Sequence, residues 1–294
     1  MTRQRVRLPN FFILGAGRCG TSSLALALNA HPDVFIPGIK EPSFFASSFQ
    51  WVKDPARYVS LYEPASAAAA VGDASHIYLE DPESPRILQA FFPDARFVLV
   101  FRHPADRALG LYAHMVEGGY ELHRTFDQAL DAEESRFHSE RFRRSCRQSF
   151  WNYMYVRSGL FGEQVQRYFE YFEREQFWFT TLDRLVTEPA KTMRDLHRFL
   201  DVEPVEVETF PRDATSKGTR SRVVAYAGQR LLRPLARRTG FPGESMQTAI
   251  TRWNRGRDKP AMQPATRSRL QERFEPDLRL LRELTGIDLT EPAP

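Results

Sequence analysis

The sequence predicts an α/β fold in which a central, mainly parallel sheet lies between two layers of helices, a three-layer αβα arrangement. A short apolar run at 11–14 leads into a glycine-containing loop and then into a helix-favouring stretch. A second run, RFVLVF at 96–101, is continuous, as is typical of a strand that a parallel sheet buries on both faces. Further along, apolar runs and helical patterns alternate, which is the pattern of a doubly wound sheet.

The first half of the chain supplies the elements nearest the glycine loop. Residues 11–14 form the first predicted strand, and residues 21–29 begin the first helix. VFIP at 34–37 is a second short apolar run, and the alanine-rich stretch 65–70 is a surface connection or a small helix. After the strand at 96–101, Pro104 suits the first position of a helix, where a missing N–H costs nothing.

The second half repeats the alternation. Helical periodicity covers 157–173, FWFTT at 177–181 is strand-like, and 189–200 is an amphipathic helix. We expect one domain over residues 1–294, with a lead-in at 1–9 and a basic, partly loop-like excursion at 217–262. Ligands of doubly wound sheets bind beyond the carboxyl ends of the strands, so the loop after the first strand and the turn after 96–101 are expected to share that edge.

Composition narrows the class of protein. A chain of 294 residues with 42% apolar content can bury a substantial core, and it has no run of about 18 apolar residues that would predict a membrane span. The apolar run after the N-terminal arginines is too short for a secretion signal. Two cysteines are too few for a disulfide framework, which favours a reducing, cytoplasmic location. The net charge of +4 suits an anionic ligand without requiring nucleic acid.

The loop GAGRCGTS at 15–22 is P-loop-NTPase-like. Backbone N–H groups of such loops, together with the N-terminus of the next helix, bind phosphate. Where the ligand is a nucleoside triphosphate, a lysine follows the last glycine. Here Thr21 stands at that position and Arg18 is the long cation within the loop, so the anion should differ from a triphosphate. A plain strand-to-helix turn is the alternative interpretation.

Two other cationic segments qualify as phosphate-binding sites. In the turn after the 96–101 strand, Arg102 and Arg107 are candidates to bind a second phosphate. Later, no carboxylate occurs from Ala214 to Gly243 while seven cationic residues do. These are Lys217, Arg220, Arg222, Arg230, Arg233, Arg237 and Arg238. This run is either a solvated cationic face or, in its TSKGTR portion, a loop that closes over an anionic ligand.

Several motifs taken together resemble one family. FILGAGRCGTSSL, HPDVFIPGIKEPSFF and VLVFRHPADRALGLY, followed in order by TFDQALDAE, RSGLFGEQVQRYFEYF and RFEPDLRLLRELTGIDL, are similar to sulfotransferases of the bacterial and heparan-sulfate-type branch. The resemblance implies a donor, 3′-phosphoadenosine 5′-phosphosulfate, that becomes adenosine 3′,5′-bisphosphate without a metal ion. It also implies an acceptor hydroxyl or amine on a small molecule or carbohydrate, with no nucleic acid partner.

The resemblance assigns roles by position. The 5′-phosphosulfate would be bound by Gly15, Gly17, Arg18, Cys19, Gly20, Thr21 and Ser22. Arg102 would bind the 3′-phosphate, and a looser match places Lys217, Gly218 and Arg220 in a loop over the phosphates. Glu41 would be the catalytic base, and Arg18 would face the transferred group.

The acceptor side of the site is assigned to fewer motifs. Lys40 beside Glu41 would balance its charge or contact the sulfonate. Asp73 matches a commonly acidic position near the acceptor, with Ser75 in the same stretch. Phe44 and Phe45 lie in an aromatic segment that is either packing or part of the acceptor pocket.

Departures from the family pattern keep other functions open. Gly110 stands where the family usually has a serine on the 3′-phosphate, and Arg18 replaces a commoner lysine. His31, His76, His103 and His114 are each conceivable bases, because histidine titrates near neutrality. The alternatives are a kinase with a degenerate phosphate loop and a non-catalytic nucleotide- or polyanion-binding protein.

Overall fold

A computed structural model describes residues 6–39, 41–211, 221–227, 253, 254, 256 and 260–290. Five strands form one sheet in the order β2-β3-β1-β4-β5, and every strand pair in these residues is parallel. The strands are β1 Phe11–Gly15, β2 Val34–Phe35, β3 Ala70–Ala74, β4 Arg96–Phe101 and β5 Phe177–Thr181. The predicted central parallel sheet is confirmed.

Thirteen α-helices lie in the described residues. They are α1 Thr21–Asn29, α2 Pro55–Ser60, α3 Ile77–Glu80, α4 Ser84–Phe91, α5 Pro104–Glu117, α6 Phe126–Asp131, α7 Glu133–Phe137, α8 Glu140–Ser145, α9 Phe161–Phe169, α10 Leu182–Thr187, α11 Pro189–Phe199, α12 Arg222–Ala227 and α13 Pro264–Thr285. Single 3-10 turns cover Glu63–Ala67, Phe150–Tyr153, Arg157–Gly159 and Arg174–Gln176. No helix in these ranges is both long and apolar enough to cross a membrane.

The chain forms two compact units. The first contains the sheet and comprises the described residues of 1–104, 160–213 and 275–294. The second comprises those of 105–159 and 214–274, including most of α5 and all of α6–α8. The single domain expected over residues 1–294 remains a prediction.

The first unit is built around its two central strands. All five residues of β1 are buried, and so are the last five of β4, because both strands have neighbours on either side in the sheet. Aromatic rings fill the space beside them: Phe97 lies 4.5 Å from Phe172 and 4.9 Å from Phe177 between ring centroids. Burying each such side chain stabilises the fold by about 1.5–3 kcal/mol relative to leaving it exposed.

Local sequence signals explain where several elements begin. The Thr181 hydroxyl accepts the Arg184 N–H at 3.2 Å and so caps α10, and Asp54 caps α2 just before Pro55. Pro104 begins α5, as predicted. The helix expected over 157–173 is shorter, since a 3-10 turn precedes α9 and α9 ends at Phe169.

The alanine-rich stretch 65–70 differs from a surface connection. A 3-10 turn covers Glu63–Ala67, which agrees with the small-helix alternative, but Ala65 and Ala68 are buried and Ala70 already begins β3. This strand lies between β2 and β1, inside the sheet. Alanine, glycine and aspartate supply little strand propensity, so packing against neighbouring strands decides this segment.

Candidate active site

The glycine loop, residues 15–20, joins the carboxyl end of β1 to the start of α1. The Ala16 N–H donates to the Val100 carbonyl at 2.8 Å, which holds the loop against β4. Gly20 precedes α1 with φ of 91°, in the left-handed region, and a Cβ there would lie 2.7 Å from Leu182 Cδ1. Both facts require glycine at this position.

Arg102 follows the last residue of β4, and β4 is the hydrogen-bonded neighbour of β1. The glycine loop and Arg102 therefore lie at the carboxyl edges of adjacent strands, where the αβα topology places ligands. This juxtaposition was expected from the sequence.

Side chains in the loop differ in exposure. Cys19 is fully buried and Thr21 nearly so, whereas Arg18 and Ser22 are half-buried. The predicted contact of Cys19 with a ligand is therefore limited to its backbone. The backbone at Arg18 is left-handed, with φ of 69°.

Glu41 is held by the turn that follows β3. Its N–H donates to the Ala74 carbonyl at 3.0 Å. Its Oε2 accepts the His76 backbone N–H at 2.9 Å and lies 2.8 Å from His76 Nδ1. Both side chains are largely covered but open to solvent, with exposed fractions of 27% for Glu41 and 22% for His76. The imidazole also contacts the glycine loop, because a Cβ on Gly17 would lie 2.7 Å from its Cδ2.

Asp73 lies at the centre of a buried hydroxyl network. Its Oδ2 accepts the hydroxyls of Tyr58 at 2.9 Å and Tyr78 at 3.0 Å, and its Oδ1 accepts that of Ser75 at 2.7 Å. Burial raises the pKa of Asp73 to about 6, the three hydroxyls oppose that shift, and the charge of Glu41 adds to it. Asp73 and Ser75 are fully buried, so neither presents its side chain at the surface.

The two phenylalanines of the predicted acceptor pocket have different surroundings. Phe45 is buried and lies within 6.4 Å of the rings of Phe12 and Tyr78, so it is part of the core. Phe44 is half-buried and stacks on Tyr58 with the ring centroids 4.6 Å apart. Of the two, Phe44 keeps the exposure that contact with an acceptor needs.

Arg107 is not available to bind a phosphate. Its side chain is fully buried in the second unit, where it donates to the Ser158 hydroxyl at 2.6 Å. The sequence placed it correctly on the first turn of α5 but did not indicate which side of that helix is buried. Lys40, Lys217, Gly218 and Arg220 lie outside the described residues.

Sequence reasoning did not foresee two features of the site. His76 was one of four conceivable bases, and its pairing with Glu41 joins residues 35 positions apart. The hydrogen bond from Tyr58 to Asp73 was not predicted either. The available signal was the four-residue spacing of Tyr58 and Tyr62, which places both on one side of a helical turn. Across the described ranges, no three His, Cys, Asp or Glu side chains are grouped to hold a metal ion.

Comparison with known proteins places this geometry in a family. The family model described as "Sulfotransferase domain" matches residues 8–282. Heparan sulfate glucosamine 3-O-sulfotransferase 6 of Homo sapiens is 27% identical over 284 residues, covering 97% of this chain and 74% of the relative. Bifunctional heparan sulfate N-deacetylase/N-sulfotransferase 1 of Caenorhabditis briggsae is 26% identical over 235 residues, 76% of this chain and 26% of the relative.

A solved structure agrees over nearly the whole chain. The crystal structure of a sulfotransferase from Alicyclobacillus acidocaldarius is 28% identical with a TM-score of 0.71, and the match covers 97% of this chain and 98% of that one. The predicted family resemblance and the phosphate-loop-type αβα fold are thereby confirmed. The chain spans only about a quarter of the N-deacetylase/N-sulfotransferase relatives it matches.

Proposed function

This chain belongs to the sulfotransferase domain family, and we propose that it transfers a sulfuryl group from 3′-phosphoadenosine 5′-phosphosulfate to a hydroxyl or amine. Family members are transferases that depend on this donor. For the acceptor, the names of the relatives support a carbohydrate over a small molecule. The cytoplasmic location and the metal-free reaction inferred from the sequence remain predictions.

One observation carries the proposal. The glycine loop and Arg102 occupy the carboxyl ends of adjacent strands, with Ala16 bonded to Val100 between them. Two anion-binding positions side by side suit a nucleotide with two separate phosphate-type groups better than one chain of three phosphates. The loop N–H groups and the N-terminus of α1 would bind the 5′-phosphosulfate, and Arg102 the 3′-phosphate.

When bound, the donor supplies the sulfuryl group and a phosphate leaving group. Negative charge develops on the leaving oxygen as the sulfuryl group departs, so donors already aimed at that oxygen lower the barrier. Arg18, Thr21 and Ser22 are the residues proposed to do this together with the loop backbone. Because Thr21 is almost covered, its contribution would come mainly through its N–H.

Glu41 is the proposed base. A base must come within about 3 Å of the acceptor hydroxyl or amine to take its proton. The carboxylate is partly open to solvent, and its partner His76 contacts the glycine loop at Gly17. Glu41 is therefore close to the proposed position of the phosphosulfate and remains accessible to an acceptor.

The remaining assignments depend on the family pattern. Lys40 would contact the sulfonate, and the segment with Lys217, Gly218 and Arg220 would cover the phosphates. Phe44 would line the acceptor pocket, whereas the buried Phe45, Asp73 and Ser75 would support it from beneath.

Calorimetric titration tests the donor site. We expect adenosine 3′,5′-bisphosphate to bind more tightly than 5′-AMP or magnesium ATP. A preference for magnesium ATP would favour the kinase alternative. Salt-sensitive binding to nucleic acid of any sequence would favour a polyanion-binding protein.

Turnover tests the base. The purified protein is incubated with donor and either N-deacetylated or N-acetylated heparosan, and release of the bisphosphate is measured. We expect Glu41→Gln to bind the bisphosphate as the wild type does but to lose at least about 100-fold in kcat. Glu83→Gln is the matched control, because Glu83 is an exposed carboxylate paired with Arg86. Wild-type turnover by Glu41→Gln would remove Glu41 from the reaction.

A further inference from the structure

Two short segments of the first unit are bonded to each other residue by residue. The segment 41–43 follows β2 in the chain, and the segment 73–76 ends β3 and begins the turn after it. Besides the Glu41 bonds to Ala74 and His76, the Ser43 N–H donates to the Ser75 hydroxyl at 3.0 Å. The 73–76 segment therefore holds Glu41 in place through hydrogen bonds, and we call it the support for Glu41.

This support holds a backbone that is unfavourable by itself. Glu41 and Ser43 both have left-handed backbones, with φ of 64° and 54°. Each such conformation is unfavourable for a residue other than glycine, and it persists only where surrounding contacts impose it. The location of the Glu41 carboxylate is thus set by contacts with 73–76 rather than by the local preference of its own segment.

Among these contacts, His76 engages the Glu41 carboxylate directly, through both its backbone and its ring. Its backbone N–H donates to Oε2 and its Nδ1 lies 2.8 Å from the same oxygen, so two contacts on one oxygen limit the rotation of the carboxylate. With the Glu41 carboxylate ionised, and therefore only an acceptor, Nδ1 would be the donor in this contact. The opposite edge of the ring contacts the loop at Gly17.

We propose that His76 is a positioning residue that fixes the location of the Glu41 carboxylate relative to the glycine loop. The proposal rests on the proposed function, which makes Glu41 the base and the glycine loop the phosphosulfate site. His76 contacts both, so it sets the distance between the group that takes the proton and the backbone that binds the transferred group. Displacing a reacting group by about 1 Å can cost 100-fold in rate.

The test separates positioning from folding and from donor binding. We expect His76→Ala to lower kcat about 10- to 100-fold while the Kd for adenosine 3′,5′-bisphosphate changes less than about threefold. His76→Asn, whose amide nitrogen can occupy the place of Nδ1, should recover much of the loss. His76→Gln, which extends its amide towards the place of Nε2, should recover less. His138→Ala is the matched control, because His138 forms a surface pair with Glu134, also at 2.8 Å.

A double-mutant cycle shows whether His76 acts through Glu41. Adding His76→Ala to Glu41→Gln should cause no further loss of kcat. If His76→Ala keeps wild-type kcat, or if the double variant falls well below Glu41→Gln, the positioning role is wrong. If Glu41→Gln itself is fully active, the proposed base is wrong, and so is a role that acts through it.

NMR spectra of the histidine rings report on the pair without turnover. Because Nδ1 of His76 lies 2.8 Å from the Glu41 carboxylate, Glu41→Gln should shift the ring resonances of His76 and leave those of His138 in place. If the His76 resonance is unchanged in Glu41→Gln, the pairing of His76 with Glu41 is wrong, whatever the activity of the variant. If the wild type transfers no sulfuryl group to any acceptor, the proposed function fails with the positioning role, while the NMR spectra still show whether the pair forms.

Discussion

At the scale of single residues, β4 carries an arginine at each end. Arg102 follows the carboxyl end, beside the glycine loop, and Arg96 begins the strand and pairs with Asp201. We expect Arg102→Ala to raise the Kd for adenosine 3′,5′-bisphosphate about 10- to 100-fold, because a hydrogen bond to a charged group contributes about 1.5–3 kcal/mol. Affinity for 5′-AMP, which lacks the 3′-phosphate, should not change.

Calorimetry of Arg96→Ala is the control for the positive charge that Arg102→Ala removes. Arg96 belongs to the same strand, so this variant loses the same charge from the opposite end and should bind both nucleotides as the wild type does. Equal weakening of both nucleotides by Arg102→Ala would mean that Arg102 contacts the 5′ end, and unchanged affinities would remove it from the site.

Arg107 shows why residue type alone does not assign a role. It lies five residues after Arg102 and carries the same charge, but Ser158 and the Tyr155 carbonyl bind it inside the second unit. A buried guanidinium with such partners stabilises packing and has no surface to offer a nucleotide. Which of two neighbouring arginines is buried depends on residues about 50 positions away, so the local pattern could not distinguish them.

At the scale of elements, the connection from β1 to α1 depends on Gly20. Its left-handed φ and its approach to Leu182 both disfavour a side chain. We expect Gly20→Ala to lower the free energy of unfolding by about 1–3 kcal/mol and to weaken binding of the bisphosphate. Gly38→Ala is the control, because a Cβ at Gly38 would have nothing within 4 Å.

Urea unfolding followed by circular dichroism measures both glycine variants. The expected order places Gly20→Ala below the wild type and Gly38→Ala level with it or slightly above, since alanine restricts the unfolded chain more than glycine does. Equal stability of all three proteins would show that the loop tolerates a side chain at position 20.

Elements with strong local signals were predictable from the sequence. The continuous run of β4, the amphipathic α11 and the strand, glycine loop and helix over 11–29 all occur as expected. The strand β3 was not predicted, because AVGDA has weak strand propensity and is buried only through its neighbours β2 and β1. The residues that hold Glu41 lie in and just after that strand. Because β3 was not predicted, the pairing of Glu41 with His76 could not be predicted either.

At the scale of the whole molecule, two buried groups couple folding to pH in opposite directions. Burial lowers the pKa of His197 to about 4, and nearby His31, with its ring centroid 4.8 Å away, adds to the shift. Neither ring nitrogen of His197 has a hydrogen-bond partner in the described part of the chain. Asp73 has the reverse behaviour, with its pKa raised to about 6.

The signs follow from which state binds more protons. Between about pH 4 and 6.5 the unfolded chain protonates His197 and the folded chain does not, so stability rises with pH. Over nearly the same range the folded chain keeps Asp73 protonated and the unfolded chain does not, so stability falls with pH. Each contribution amounts to about 3 kcal/mol, at about 1.4 kcal/mol per unit of pKa, and the two nearly cancel.

Single substitutions should therefore expose each of these two contributions separately. Relative to the wild type, Asp73→Asn should lose stability as the pH falls from about 6.5 to about 4.5, because only the His197 contribution remains. His197→Leu should show the opposite slope and be more stable at the acid end, since it also removes two buried ring nitrogens without partners. Urea unfolding at both pH values measures the slopes, and the double variant should return to the slope of the wild type. Slopes that stay parallel to the wild type in both single variants would mean that neither group changes its pKa on folding.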